Sequence, residues 1–390
     1  MGRVCVGLDV LTARRPRFLR GRRVGLVCHQ ASVDAGLGHA AEAIAGLPGV
    51  RLAALFAPEH GLGGAAQDHA RVPASRDRRL GVPVHSLYGA RLAPDPRTLD
   101  GLDVLVVDLQ DVGARYYTFV WTMALAMRAA AAVGVPVVVL DRPNPLGGVV
   151  LEGNRPDPRF ASFVGLHPLP IRHGLTIGEL AAYLNATHRL GADLTVVPMR
   201  GWRRAMRWED TGCPWVAPSP NMPTPDTARV YPGGCLLEGT NLSEGRGTTR
   251  PFELVGAPFL DGHRLAAALD RRRLPGVAFR PAAFQPTFHK HAGRLCGGVQ
   301  VHVVDAGRFR PVTAYVALMT EARRQAPRRF RWRRPPYEFV RDRLPIDLLS
   351  GGPEIRVAVE RGTPPAALGR RWRRGLTAFA RARRPYLAYA

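Results

Sequence analysis

Apolar runs of strand length alternate with helical segments through the first half of the chain, and this alternation constrains the fold more than any other feature. The predicted strands span 24–28, 51–57, 82–88, 103–109, 135–141 and 194–199. The predicted helices span 37–46, 118–133 and 177–190. Strands that alternate with helices are typical of βαβ units. We therefore predict an α/β fold with a Rossmann-like, mostly parallel sheet that has helices on both faces.

The pattern changes after the last of these strands. Residues 211–258 form a long segment rich in Pro, Gly, Asn and Thr, and a segment of this length in a compact domain is usually functional or disordered. The α/β pattern then returns, with predicted elements at 261–272 (helix), 298–304 (strand) and 312–325 (helix). Residues 331–390 are rich in Arg and Pro and show few long periodic runs. We predict a Rossmann-like domain at 1–255 and a smaller C-terminal α/β domain at 256–390.

The charge of the chain is unusual for a globular protein. The 390 residues include 55 basic and 31 acidic side chains, for a formal net charge of +24, and Lys290 is the sole lysine. A field this positive favours polyanionic partners. However, zinc-finger spacing, an RNA-recognition signature and a heptad-bearing basic region are all missing from the sequence. We therefore predict no dedicated nucleic-acid partner, and the arginine clusters at 328–334 and 370–374 are interpreted as a solvated basic face.

Cysteine usage and hydropathy bound the class of protein further. The five cysteines are odd in number and include no CxxC pair, which argues against a disulfide scaffold or a structural zinc site. No apolar stretch approaches the roughly 20 residues of a membrane-spanning helix. No signal peptide is visible at the N-terminus, so we expect a cytoplasmic protein without a membrane span, or an exported one if the start is misassigned. The oligomeric state is left open.

Several common chemistries lack their motifs in this sequence. The loop after the first strand has no GxGxxG, the sole lysine does not belong to a P-loop, and GxSxG and HExxH do not occur. His289 and His291 form an HxH pair without a carboxylate partner nearby in sequence. We therefore predict neither a cofactor nor a metal.

Carboxylates at strand ends remain as candidate catalytic groups. Glu59 and His60 follow Pro58, which must end the preceding strand because it cannot donate to a sheet ladder. Ligands of open α/β sheets bind at the carboxyl ends of the strands, which is where Glu59 would lie. Glu59 could instead cap a turn or pair with an arginine. The other candidate carboxylates are Asp108, Asp111, Glu238 and Glu244. Glycoside hydrolases use paired carboxylates together with polar and aromatic contacts to the sugar.

The motifs that hold these residues resemble one family. They are FAPEHG at 56–61, DLQDVGARYYT at 108–118, DRPNP at 141–145, PSPNMP at 218–223 and EGTNLSEGRGT at 238–248. In order and spacing they are similar to the exo-β-N-acetylmuramidases, the NamZ-type glycoside hydrolases formerly known as a bacterial domain of unknown function. The resemblance runs from about Val6 to Val299.

The resemblance implies a Rossmann-like domain without nucleotide, a smaller C-terminal domain and an active site in the cleft between them. It implies release of terminal β-linked N-acetylmuramic acid from the non-reducing end of peptidoglycan fragments, with Glu59 as general acid/base. Glu244 or Asp111 is the second catalytic candidate. Arg115 or Arg246 would hold the lactyl carboxylate. The remaining substrate-binding candidates are His60, Gln110, Tyr116, Tyr117, Asn144, Asn221 and Asn241. The alternative function is a non-catalytic protein that binds anionic glycan on the same fold.

Overall fold

The computed structural model describes residues 2–14 and 17–390. The strands are β1 (Arg23–Cys28), β2 (Arg51–Ala57), β3 (Ser75–Arg76), β4 (Pro83–Ser86), β5 (Val104–Asp108), β6 (Val137–Leu140), β7 (Leu194–Val197), β8 (Leu254–Ala257), β9 (Val277–Phe284) and β10 (Cys296–Val303). The helices are α1 (Gly7–Arg14), α2 (Ala40–Ala45), α3 (Pro96–Leu99), α4 (Phe119–Ala132), α5 (Ile177–Thr187), α6 (Pro225–Gly234), α7 (Gly262–Asp270), α8 (Pro311–Gln325), α9 (Pro345–Ser350), α10 (Glu354–Arg361) and α11 (Pro365–Arg383).

The larger sheet has seven strands in the order β3-β4-β2-β1-β5-β6-β7. All neighbouring pairs are parallel except β3 with β4. Without β3, the order of the parallel strands is that of a doubly wound Rossmann sheet. The predicted fold class is therefore confirmed.

Helices cover both faces of this sheet because its central strands are apolar on both sides. In β5, Val104 and Val106 pack with α1 and α2, whereas Leu105 and Val107 pack with α4 and α5. Continuous apolar strands of this kind require cover on both faces. The carboxyl ends of the parallel strands stay free of these helices and form the edge on which the candidate site is built.

The second sheet is small and antiparallel, with strand order β8-β10-β9. Helix α7 packs on β9 and β10, and α8 contacts α6, α7 and α10. This sheet and its helices are the smaller α/β unit predicted for the C-terminal part. The domain boundary at residue 255 stays a prediction.

Several elements were not foreseen. Helix α6 lies inside the segment 211–258, and β9 and α1 were not predicted. The prediction of few periodic runs in residues 331–390 is wrong, because α9, α10 and the 19-residue α11 lie there. In α11 the buried Leu368, Trp372 and Phe379 are separated by exposed arginines, which hide the apolar stripe in an arginine-rich composition.

Two further observations concern the cysteines and the question of a membrane-spanning helix. All five cysteines are free thiols. Among the residues described, no helix combines the length and the apolar character needed to cross a membrane.

Candidate active site

A pocket opens at the carboxyl edge of the large sheet, between that sheet and the C-terminal part of the chain. Its walls come from the loop after β2, the loop between β5 and α4, the segment around Asn221, and the turn that contains Glu338. Residues from distant parts of the sequence therefore line one pocket, as the convergence of strand-end loops predicts.

Glu59 lies in this pocket and is only 5% exposed. Its Oε2 accepts a hydrogen bond of 2.8 Å from the hydroxyl of Thr118, and its Oε1 accepts one of 3.4 Å from the backbone N–H of His69. A buried carboxyl group held at a fixed angle on a pocket wall can exchange a proton with a bound ligand.

The next residue, His60, is in the left-handed region with a φ of 72°. Its Nδ1 lies 2.8 Å from the carbonyl oxygen of Ala66, and its ring packs edge-on against Phe119. The imidazole is thereby fixed on the pocket wall, where it can contact a ligand.

The pocket wall is acidic, although the protein as a whole is strongly basic. Asp68, Glu238 and Glu338 line the pocket together with Glu59. Of the described lining residues, only Arg246 carries a permanent positive charge. The positive charge that dominates the whole chain is therefore not found on this pocket wall.

Arg246 is held by three carboxylates at once. Its guanidinium lies 2.7 Å from Glu238, 3.2 Å from Asp68 and 3.4 Å from Glu244. Burial alone would lower the pKa of Arg246, but the charges of these carboxylates raise it above its ordinary value. Arg246 is thus a fixed cation that neutralises part of the acidic wall.

Glu244, a predicted catalytic candidate, lies behind Arg246 and does not line the pocket. It is fully buried, with Lys290 Nζ at 2.8 Å and His289 Nδ1 at 3.3 Å. Burial would raise the pKa of Glu244, but Lys290, His289 and Arg246 together hold it well below its ordinary value. Glu244 is therefore an ionised support for Arg246.

Lys290, the partner of Glu244, is surrounded by hydrogen-bond acceptors. Its ammonium group donates to the carbonyl oxygens of Leu237 (2.9 Å) and Leu242 (3.1 Å) as well as to Glu244. All three of its protons therefore have acceptors, a compact arrangement that a planar guanidinium does not reproduce.

The neighbouring His291 contacts the carbonyl of Asn241 instead of joining His289. No group of three or more metal-ligating side chains occurs among the residues described.

Three other predicted contact residues line the pocket. The Tyr116 hydroxyl donates to the carbonyl of Pro232, and the Tyr117 ring lies 4.8 Å from Phe119 in an edge-to-face arrangement. Asn221 donates a hydrogen bond of 2.8 Å to Gln67.

Arg115 is buried in the protein core, away from the pocket. Its guanidinium donates to the carbonyl oxygens of Asn154 (2.7 Å), Leu169 (2.8 Å) and Leu349 (2.9 Å). Burial lowers its pKa to about 10. Because these carbonyls occupy the guanidinium, it ties loops of the two halves of the chain together.

The other predicted site residues outside the pocket also hold loops. Asp111 accepts a hydrogen bond of 2.7 Å from the N–H of Gly113 and lies 3.6 Å from His173. Gln110 donates to the carbonyls of Asp111 and Pro143, and Asn144 donates to that of Leu175. Asn241 bridges the backbone of residues 329 and 331. These four side chains shape the loops without reaching the pocket.

The pocket residues that sequence reasoning missed include Asp68, His69, Tyr337 and Glu338. The imidazole of His69 lies 3.6 Å from Glu338, and the Tyr337 hydroxyl donates a hydrogen bond of 2.7 Å to Glu238. Neither segment has strand or helix periodicity, so nothing in the local sequence marked these side chains.

The fold and the site define a class: a Rossmann-like α/β protein whose pocket carries carboxylates in place of a nucleotide motif. Comparison with known proteins identifies the family. The family model described as exo-beta-N-acetylmuramidase NamZ, N-terminal, matches residues 24–226, and the C-terminal model of the same name matches residues 229–389. The chain belongs to the exo-β-N-acetylmuramidase NamZ family.

Relatives match over nearly the whole chain. The peptidoglycan beta-N-acetylmuramidase NamZ of Bacillus subtilis (strain 168) is 44% identical over 387 residues, which cover 99% of this chain and 92% of that protein. Two crystal structures of DUF1343 family proteins from Bacteroides fragilis NCTC 9343 are also similar. One has a TM-score of 0.88 at 35% identity and the other 0.76 at 28%, each covering 100% of this chain and 99% of its own.

Proposed function

We propose that this chain is a glycoside hydrolase that releases terminal β-linked N-acetylmuramic acid from the non-reducing end of peptidoglycan fragments, with Glu59 as its general acid/base. The observation that carries the proposal is the position of Glu59, a buried carboxyl group on the pocket wall held by Thr118 and the His69 N–H. The family, and the activity named for the relative from B. subtilis, supply the reaction.

Substrate contacts are assigned to the predicted residues that line the pocket. Arg246, rather than Arg115, is the guanidinium that can meet the lactyl carboxylate, because Arg246 lines the pocket whereas Arg115 is buried in the core away from it. His60, Tyr116, Tyr117 and Asn221 are the other candidates for contact with the sugar.

The remaining predicted site residues have a supporting role in this proposal. Glu244 holds Arg246 in place through their 3.4 Å contact. Asp111, Gln110, Asn144 and Asn241 fix the loops around the pocket through bonds to backbone groups.

The test is digestion of purified peptidoglycan fragments that carry N-acetylmuramic acid at the non-reducing end, followed by mass spectrometry. The proposal predicts free N-acetylmuramic acid and a remaining fragment that begins with N-acetylglucosamine. The Glu59→Gln variant should release none. The matched control Glu42→Gln removes a half-exposed carboxylate on α2 that pairs with Arg79, and it should behave like the parent. Binding of the fragments without release by the folded parent would favour the non-catalytic glycan-binding alternative.

A further inference from the structure

Glu338 lies on a backbone turn that is held in an uncommon conformation. Tyr337 and Val340 exchange two backbone hydrogen bonds of 2.9 Å, and the two residues between them, Glu338 and Phe339, have φ values of 44° and 68°. Such conformations are strained at non-glycine residues and cluster at functional sites. The turn directs the Glu338 side chain, which is 7% exposed, onto the pocket wall.

Two residues connect Glu338 with Glu59. His69 donates its backbone N–H to Glu59 at 3.4 Å, while its imidazole Nδ1 lies 3.6 Å from Oε1 of Glu338. The Tyr88 hydroxyl donates to Oε2 of Glu338 at 3.2 Å. The pKa of Tyr88 is raised by burial and then by the charges of Glu59 and Glu338. Both carboxyl groups therefore act on the same hydroxyl, which is hydrogen-bonded to Glu338.

The surroundings of Glu338 favour its neutral form. Burial raises the pKa of Glu338 well above its ordinary value, and the charges of Glu59, Glu238 and Asp68 raise it further, whereas the hydrogen bond from Tyr88 lowers it. His69 is the basic group that faces it. Two carboxyl groups that share a site do not both ionise readily, so Glu338 is the member of the pair that keeps a proton.

We propose that Glu338 is the second catalytic carboxyl group of this site, acting as the general acid opposite Glu59. This inference rests on the proposed function. Glu338 gives its carboxyl proton to the glycosidic oxygen as the bond between that oxygen and C1 breaks, and the bonding electron pair leaves with the oxygen. The water that completes hydrolysis bonds to C1 through its oxygen, and its proton goes to Glu59. Transfer of that proton from Glu59 to Glu338 restores the resting pair.

The assignment also explains how an acidic pocket accepts an anionic sugar. With Glu338 neutral and Asp68 and Glu238 paired to Arg246, Glu59 is the remaining carboxylate of the lining residues described. The lactyl carboxylate then meets less repulsion than the count of acidic side chains implies.

The test compares two substrates that differ in their need for an acid. One is the 4-nitrophenyl β-glycoside of N-acetylmuramic acid, whose leaving group departs with little protonation, and the other is the β-1,4-linked disaccharide of N-acetylmuramic acid and N-acetylglucosamine. General acids contribute about 10²–10⁴-fold. In Glu338→Gln, kcat on the disaccharide should fall by about 10³-fold, and on the aryl glycoside by less than about 10-fold. Glu59→Gln should lose activity on both substrates.

The control is Asp342→Asn, which removes an exposed carboxylate near the same turn and should match the parent on both substrates. Equal losses on both substrates in Glu338→Gln, or parental activity on both, would overturn the assignment while leaving the proposed function intact. A parent inactive on both substrates would instead remove the proposed function itself.

Thermal unfolding of the same variant adds a readout independent of turnover. Glutamine has the shape of a neutral glutamic acid, so Glu338→Gln should keep the parental unfolding temperature at pH 5. As the pH rises, the variant should unfold at a higher temperature than the parent. The sign follows because a protein with a carboxyl group of raised folded-state pKa becomes less stable as the pH rises through that folded-state pKa. A variant that unfolds at pH 5, where the parent is folded, would show that the ionised form is needed and would contradict the proposal.

Discussion

The hydroxyl of Thr118 donates a hydrogen bond to Glu59 and accepts none from the backbone of the helix whose N-cap position Thr118 occupies. The bond is 2.8 Å long, and α4 starts at the next residue without a side-chain cap. The Glu59 carboxylate therefore lies beside the N-terminal end of α4, where the helix dipole favours a negative charge. A threonine that would ordinarily stabilise a helix is used here to orient the proposed catalytic group.

This relationship predicts the effect of Thr118→Val. The substitution keeps the shape of the side chain and removes the hydrogen bond, and bonds to charged groups contribute about 1.5–3 kcal/mol. We expect kcat/KM on a muramic acid glycoside to fall by about 10–100-fold. Thr118→Ser keeps a hydroxyl at the same position and should retain most of the activity. Parental kinetics in the valine variant would show that the bond does not orient Glu59 for turnover.

Arg115 should matter for stability and not for substrate affinity. Arg115→Met leaves the carbonyls of Asn154, Leu169 and Leu349 without their donor. We expect a loss of about 3 kcal/mol in the free energy of unfolding, measured by denaturant titration. Below the unfolding transition, KM for the muramic acid glycoside should stay at the parental value. A raised KM with unchanged stability would place this guanidinium on the substrate.

Arg246 should affect stability and activity together. Arg246→Gln leaves Asp68, Glu238 and Glu244 without their shared cation, and breaking a buried ion pair from one side costs about 3–5 kcal/mol. Arg250→Gln is the matched control, because Arg250 is about half exposed and pairs with Glu253. The control should lose no more than about 1 kcal/mol. Equal stability of the two variants would contradict the role of Arg246 as the cation of the pocket.

The pair of Lys290 and Glu244 predicts a pH dependence. The lowered pKa of Glu244 means that its contribution to stability is present above the unfolded-state value of about 4.3 and is lost as the pH falls below it. Lys290→Met removes the cation 2.8 Å away and should cost about 3–5 kcal/mol at pH 7. Unfolding temperatures measured from pH 7 to pH 3 should therefore converge between parent and variant. A difference that stays constant over this range would contradict the account.

The sheet could be predicted because its strands are buried on both faces. In β1 and β5 the buried positions are apolar except Asp108, the last residue of β5, and proline or polar loops follow the apolar runs. The strands can therefore be recognised in the sequence without knowledge of their partners. Helix α11 could not be read in this way. Its buried Leu368, Trp372 and Phe379 are outnumbered by arginines that face outward.

Only part of the site could be predicted from sequence. Glu59 was found because a strand ends at Pro58, and that signal is local. Glu338 lies 250 residues after its partner Tyr88, on a turn with two residues of positive φ, and only the folded chain brings it to the pocket. Burial decided the rest: whether Arg115 and Glu244 face the pocket or the core depends on packing that the motifs do not encode.

The most direct test of the central claim is the release of 4-nitrophenol from its β-N-acetylmuramic acid glycoside by the parent and by Glu59→Gln. The β-N-acetylglucosamine analogue, which lacks the lactyl group, serves as the second substrate. We expect release from the muramic acid glycoside only, with at least about a 10²-fold loss in the variant while its unfolding temperature stays parental. Turnover that survives in a folded Glu59→Gln protein would contradict the assignment of Glu59 as general acid/base.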